Sequence, residues 1–174
     1  MSLVLIFIFG LMIGSFLNVA ICRLETKEKI LISRSHCPRC GTILKWFELI
    51  PILSFLIQKG RCRYCGKRIS FQYPMVEIFT GLLFFLIFNF QFSIFNKFSI
   101  FNFQTLELFY YFIIVSFLIV IFVYDLKHYL IPDKIVFPAI IIVLLFNLLN
   151  YPLPVTGYWL LAALAASGFF LILV

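Results

Sequence analysis

The amino-acid sequence predicts an all-α polytopic membrane protein, with about five transmembrane helices and a small zinc-binding loop domain between the first two. Three observations predict it. First, 64% of the 174 residues are apolar and 12% are charged, where soluble domains run nearer about 45–50% and about 25%. So few charges cannot cover a water-facing surface, and hydrophobicity this high excludes a disordered chain. Second, the apolar residues gather in runs close to the roughly 20 residues that cross a bilayer. Third, eleven of the fourteen basic residues fall between Cys22 and Gln72, opposed only by Glu25, Glu28 and Glu48. A basic patch can face nucleic acid. In a chain this apolar it reads instead as a loop retained on the cytoplasmic side, so the expected partner is the lipid bilayer, with no nucleic acid.

The first apolar run, Leu3 to Ile21, has no basic segment before it and no small-residue cleavage site after it. It reads as a retained span, not a removable signal peptide, and residues 1–22 form the first helix with the N-terminus outside. Residues 23–72 form the cytoplasmic loop domain. Within it Trp46 to Ile57 is apolar but too short to span, and Glu48 and Pro51 interrupt it; it is expected to be a loop-domain core or an interfacial segment. Residues 73–174 return to the membrane. A second span is expected from about Pro74 to Phe90, followed by a Phe- and Asn-rich outer connection over 91–105 at the interface. A third runs from about Leu106 to Tyr124 and ends in the short inner loop Asp125–Lys134. A fourth covers about Ile135 to Leu149, a Pro/Gly turn follows at 151–157, and a fifth apolar run covers Tyr158 to Val174. It stops, still apolar, where an inner loop is due, so truncation is expected.

Four of the five cysteines form two Cys-x-x-Cys pairs, Cys37/Cys40 and Cys62/Cys65, each followed by a glycine. This is the arithmetic of a structural zinc site rather than a disulfide framework, the more so in a reducing compartment. Four thiolates close a tetrahedral sphere, so the metal is expected to be structural. It would stabilise a loop too small to build its own core. His36 directly precedes Cys37 and could compete as a ligand. Cys22 reads as a small buried residue.

Ionisable residues at membrane depth mark functional candidates. Asp125 ends the third span, where an acid opposes the helix dipole. Asp133 precedes the fourth span and suits an N-cap. Glu77 sits three residues after Pro74, where the dipole favours an acid.

With these residues in view, the chain resembles the type IV prepilin peptidase family, the bifunctional leader peptidase/N-methyltransferases of bacterial inner membranes. The resemblance rests on Gly14-Ser-Phe-Leu-Asn-Val-Ala-Ile-Cys-Arg23, on Ser35-His-Cys-Pro-Arg-Cys40 with Trp46, Ile50-Pro51 and Ser54, on Gly60-Arg-Cys-Arg-Tyr-Cys65 with Ile69-Ser70, on Tyr73-Pro-Met-Val-Glu77, and on Asp125 with Ile131-Pro-Asp133. It implies that Asp125 is one of two catalytic aspartates, with Asp133 an accessory acid or cap. It implies zinc on Cys37, Cys40, Cys62 and Cys65. It also implies methyl transfer from S-adenosylmethionine supported by the cytoplasmic loop, with Asn18, Arg23 and Glu77 as candidates for the donor or for substrate handling. The reaction so implied cuts the basic leader from a prepilin or pseudopilin of a type IV pilus or type II secretion system and methylates the new N-terminus. Assembly with further copies of the chain is left open.

The family's second aspartate lies in a Gly-x-Gly-Asp motif, and no such motif occurs in residues 1–174. Aspartic hydrolysis needs one ionised and one protonated carboxyl. The topology therefore places the expected motif just past Val174, and without it the chain alone is expected to lack peptidase activity. Two other readings stand beside this one: a fragment that only transfers methyl groups, and a non-enzymatic zinc-loop scaffold of a pilus or secretion assembly.

Overall fold

The runs of apolar residues become long helices because a backbone inside lipid must satisfy its own hydrogen bonds. A computed structural model of the chain describes residues 3–26, 34–95 and 101–150. In order, these are α1 (Leu3–Thr26), a 3-10 turn (Trp46–Leu49), α2 (Leu53–Ile57), α3 (Gln72–Phe95), α4 (Phe101–His128) and α5 (Asp133–Asn150). Among the described residues, four helices are long and apolar enough to cross a membrane: Leu3–Leu24, Gln72–Gln91, Leu106–His128 and Asp133–Asn150. This is a multi-pass α-helical membrane protein. The expected fifth run, Tyr158 to Val174, lies outside the described residues.

The helices outrun the expected spans. Most of the connection expected over 91–105 is helical, since α3 continues to Phe95 and α4 begins at Phe101. The segment contains neither Gly nor Pro, so nothing breaks the helix on either side.

The chain divides into two compact units, residues 1–132 and 133–174. In the first, α1 and α3 pack most closely. A Cβ added at Gly10 would meet the Cα of Gly81 at 2.7 Å, and one added at Gly14 would meet the Cα of Glu77 at 2.7 Å. Gly10-x-x-x-Gly14 is thus the small-residue stripe that lets two membrane helices approach backbone to backbone. Asn18, 2% exposed, extends the seam by donating from Nδ2 to the Tyr73 carbonyl at 2.9 Å. Deeper in the bundle, α4 joins through the buried cluster Ile6, Phe84 and Phe112, where the Phe84 and Phe112 rings stack at 4.2 Å. Such a pair adds about 0.5–1.5 kcal/mol to the burial itself. Glu107, near the start of the third span, is also buried.

In the second unit, α5 opens on Asp133 and contains Pro138. Asn147 and Asn150 donate to the Val143 and Phe146 carbonyls of their own helix, each at 2.8 Å, which satisfies polar side chains in an apolar setting.

Candidate metal centre and the cavity beneath it

The two Cys-x-x-Cys segments fold alike, position for position. Cys37 accepts from the Gly41 amide at 2.9 Å and donates to the Thr42 carbonyl at 3.0 Å; Cys62 accepts from Gly66 at 2.9 Å and donates to Lys67 at 2.8 Å. A backbone bridge closes each turn, His36 to Ile43 and Arg61 to Arg68. Gly41 and Gly66 have φ of +69° and +68°, the left-handed region that glycine enters without strain. These twin knuckles bring the sulfurs of Cys37, Cys40, Cys62 and Cys65 within 4.8 Å of one another. Four thiols so gathered fit a tetrahedral zinc ion. His36 is outside this group; its Nδ1 lies 3.2 Å from the Arg34 carbonyl.

The thiols are unequal before any metal binds. The Thr42 hydroxyl, 3.3 Å from Cys40 Sγ, and the Thr42 amide lower the Cys40 thiol to about 6. The backbone amides of Cys65 and Tyr64 lower Cys62. At Cys65 the Lys67 amide pulls downward, but burial and the neighbouring thiols outweigh it and push the group up to about 11. A cation at the centre favours the thiolate at every position and displaces the protons.

Beneath the knuckles lies a cavity of about 720 Å³, walled by α1, α3, the end of α4 and the loop. This is within the range of small-molecule sites. Arg23, Lys127, Glu48 and Glu77 line it, together with Cys22, Leu49 and Phe55. Arg23 closes the last turn of α1 and is buried, where its charge complements the helix dipole. Glu48 is buried too. Its Oε2 accepts from the Lys45 amide at 2.8 Å and from the Tyr64 hydroxyl at 3.4 Å, while its Oε1 is buried with no hydrogen-bond partner among the described residues. Burial and the Glu48 charge raise the Tyr64 hydroxyl above its ordinary range. Glu77 Oε2 accepts from the Ile52 amide at 2.8 Å. Ile52 has φ +61° and ψ −50°, and the Leu53 amide reaches back to the Pro51 carbonyl. That is a classic γ-turn, rare and strained for a β-branched residue.

Of the residues singled out from sequence, Arg23 and Glu77 line this cavity, and Asn18 is buried in the α1–α3 seam without lining it. Asp125 is exposed in the last turn of α4, two residues before Lys127, and its carbonyl accepts from the Tyr129 amide at 2.8 Å. Asp133 is exposed in the first turn of α5, where its charge suits the dipole. Asp125 belongs to the first compact unit and Asp133 to the second. Glu48, visible in the sequence only as an interruption of an apolar run, was not among the candidate site residues, because its burial depends on Tyr64 and on the fold of the loop.

Residues 8–91 match the model of the bacterial peptidase A24 N-terminal domain, and residues 112–174 match that of the type IV leader peptidase family. Among curated proteins, the chain is 41% identical over 138 residues to a prepilin leader peptidase/N-methyltransferase of Myxococcus xanthus, covering 79% of this chain and 38% of that protein. It is 44% identical over 131 residues to the Bacillus subtilis protein of that name, covering 75% and 48%. It is 31% identical over 154 residues to the Vibrio cholerae one, covering 83% and 56%. The chain thus spans about half the length of the curated relatives it matches. No solved structure matches it.

Proposed function

The chain belongs to the type IV leader peptidase family, and from that premise we propose that it processes type IV prepilins or pseudopilins at a bacterial cytoplasmic membrane, cutting the basic leader by aspartic hydrolysis and methylating the N-terminus so formed. In this reading the N-terminus of the chain is outside, and residues 23–72 are a cytoplasmic domain that serves methyl transfer.

The observation that carries the reading is the cavity beneath the knuckles, lined by five cations (Arg23, Arg39, Lys67, Arg68 and Lys127) and two carboxylates, with an orphaned carboxylate oxygen among them. S-adenosylmethionine, when bound, supplies a methyl group on a sulfonium together with a carboxylate, an ammonium and ribose hydroxyls. Arg23 and Lys127 are the groups to hold a carboxylate, through charge-assisted hydrogen bonds. Glu48 Oε1 can accept from an ammonium or a hydroxyl, and it would take the proton of a pilin amine that receives the methyl group as the donor's S–C bond breaks. Glu77 is committed to the Ile52 amide and shapes the wall. Zinc on Cys37, Cys40, Cys62 and Cys65 cross-links the loop above the cavity.

For hydrolysis, Asp125 is one of two paired carboxylates, of which one is ionised to activate water and the other protonated to polarise the scissile carbonyl; residues 1–174 hold no Gly-x-Gly-Asp motif to supply the second, so cleavage is not expected of them alone. Asp133 is an accessory acid or a helix-start residue. In cells lacking their own leader peptidase, the product of this gene with Asp125→Asn should leave prepilin uncut yet still methylate pre-cleaved pilin. Arg23→Gln should do the reverse, with methylation falling by about 10-fold or more, the worth of one charge-assisted contact. If Asp125→Asn cleaves normally, or Arg23→Gln methylates normally, the corresponding half of the reading is wrong.

A further inference from the structure

We propose that the segment Trp46–Ile57, with Phe71, is a monotopic wedge that inserts into the bilayer leaflet on the loop's own side. Two contacts fix the depth of α2. The Phe55 and Phe71 rings meet edge to face at 6.0 Å, immediately before the span that begins at Gln72. The Ile52 amide is held by Glu77, five residues into that span, or about 7.5 Å along the axis at 1.5 Å per residue. The start of α2 therefore sits at the level of the headgroup–acyl boundary, where interfacial elements bury about 5–10 Å.

The side chains agree with that depth. Leu53, Leu56, Ile57, Phe71 and Trp46 are between 56% and 78% exposed on the protein. Ser54 and Phe55, from the same short helix, line the cavity instead, as does Leu49. One side of α2 thus walls the cavity and the other presents bare hydrocarbon. The apolar stretch is bracketed by Lys45 before Trp46 and by Lys59 and Arg61 after Ile57, a tryptophan-and-lysine arrangement suited to an interface with anionic headgroups. Continuity with the α3 span and this basic rim commit the occupant to lipid. The inference does not depend on the chemistry of the cavity.

The test uses the full chain in nanodiscs of phosphatidylcholine with phosphatidylglycerol, with Trp159→Phe so that Trp46 is the sole indole. Trp46 emission should be quenched about twofold or more by lipids brominated near the headgroup, less by lipids brominated near the chain end, and little by aqueous acrylamide, as interfacial depth requires. Leu56→Glu with Ile57→Glu should abolish the bromolipid quenching while one zinc per chain is retained, which separates loss of insertion from loss of folding. Lys59→Glu with Arg61→Glu should remove any difference between discs with and without phosphatidylglycerol. Full acrylamide quenching without bromolipid quenching would overturn the proposal. So would protection from both quenchers, because a protein surface, such as a second copy, would then cover the wedge.

Discussion

Ile52 sits in a positive-φ γ-turn with its amide on Glu77, and at the scale of single residues this is where the loop is tied to the membrane helices. Strain of this kind costs on the order of 1–3 kcal/mol and persists only where the surroundings over-determine it. Here the Glu77 carboxylate and the Phe55–Phe71 contact do so. Removing the acceptor with Glu77→Ala leaves a backbone amide unpaired, at about 1–3 kcal/mol. Amide hydrogen exchange at Ile52 and Leu53 should then quicken by about 5-fold or more, with α1 and α3 unchanged, as 1 kcal/mol or more of local opening implies. Unchanged exchange would mean that the turn is held by other means. None of this was legible beforehand: Glu77 was visible as an acid at the start of a span, but its partner lies 25 residues earlier and no local pattern joins them. Glu48 is a similar case. It looked like an interruption of an apolar run, and it is a buried carboxylate bonded to Tyr64.

Among elements, the α1–α3 pair and the twin knuckles show two kinds of legibility. The knuckles could be read from spacing alone, because metal ligation fixes both residue type and interval. The helix pair carried an equally local signal, Gly10-x-x-x-Gly14 inside an apolar run, which indicates close packing once a partner helix is known. Its partner face, Thr80-Gly81 on α3, is far off in sequence. Gly14→Val should destabilise the pair by about 1–3 kcal/mol through overpacking, since the nearest clash, at 2.7 Å, is with the Glu77 backbone, which no side-chain rotation relieves. A denaturing-detergent titration of the purified protein should show an earlier midpoint. A midpoint equal to that of the parent would mean that α1 and α3 are not so close in the membrane. Trp46–Ile57, expected either as a core or as an interfacial segment, is exposed over much of its length; only the fold could show which face has protein against it.

For the molecule as a whole, composition and charge placement made the membrane class and the position of the loop readable, because a bilayer imposes length and hydropathy on every span. Which spans touch, and the cavity they enclose with the loop, depended on contacts between distant segments. The two parts should respond differently to metal. The helices close their own hydrogen bonds and need no ion, whereas a loop this small depends on one. Chelation should therefore leave helical circular dichroism nearly intact while trypsin begins to cut at Arg39, Arg61 or Lys67, and zinc re-addition should restore protection. Loss of helical signal on chelation would place the ion's role elsewhere.

In the proposed function, the cavity under the cysteine knuckles receives the methyl donor. The most direct measurement is ultraviolet crosslinking of methyl-labelled S-adenosylmethionine to the purified chain, followed by mapping of the labelled peptides. The expected result is label on peptides from the cavity wall, around Arg23, Glu48–Phe55 or Lys127, competed by unlabelled donor and reduced about 10-fold by Arg23→Gln. Competed label confined to α5, or crosslinking indifferent to Arg23 and Glu48, would contradict it.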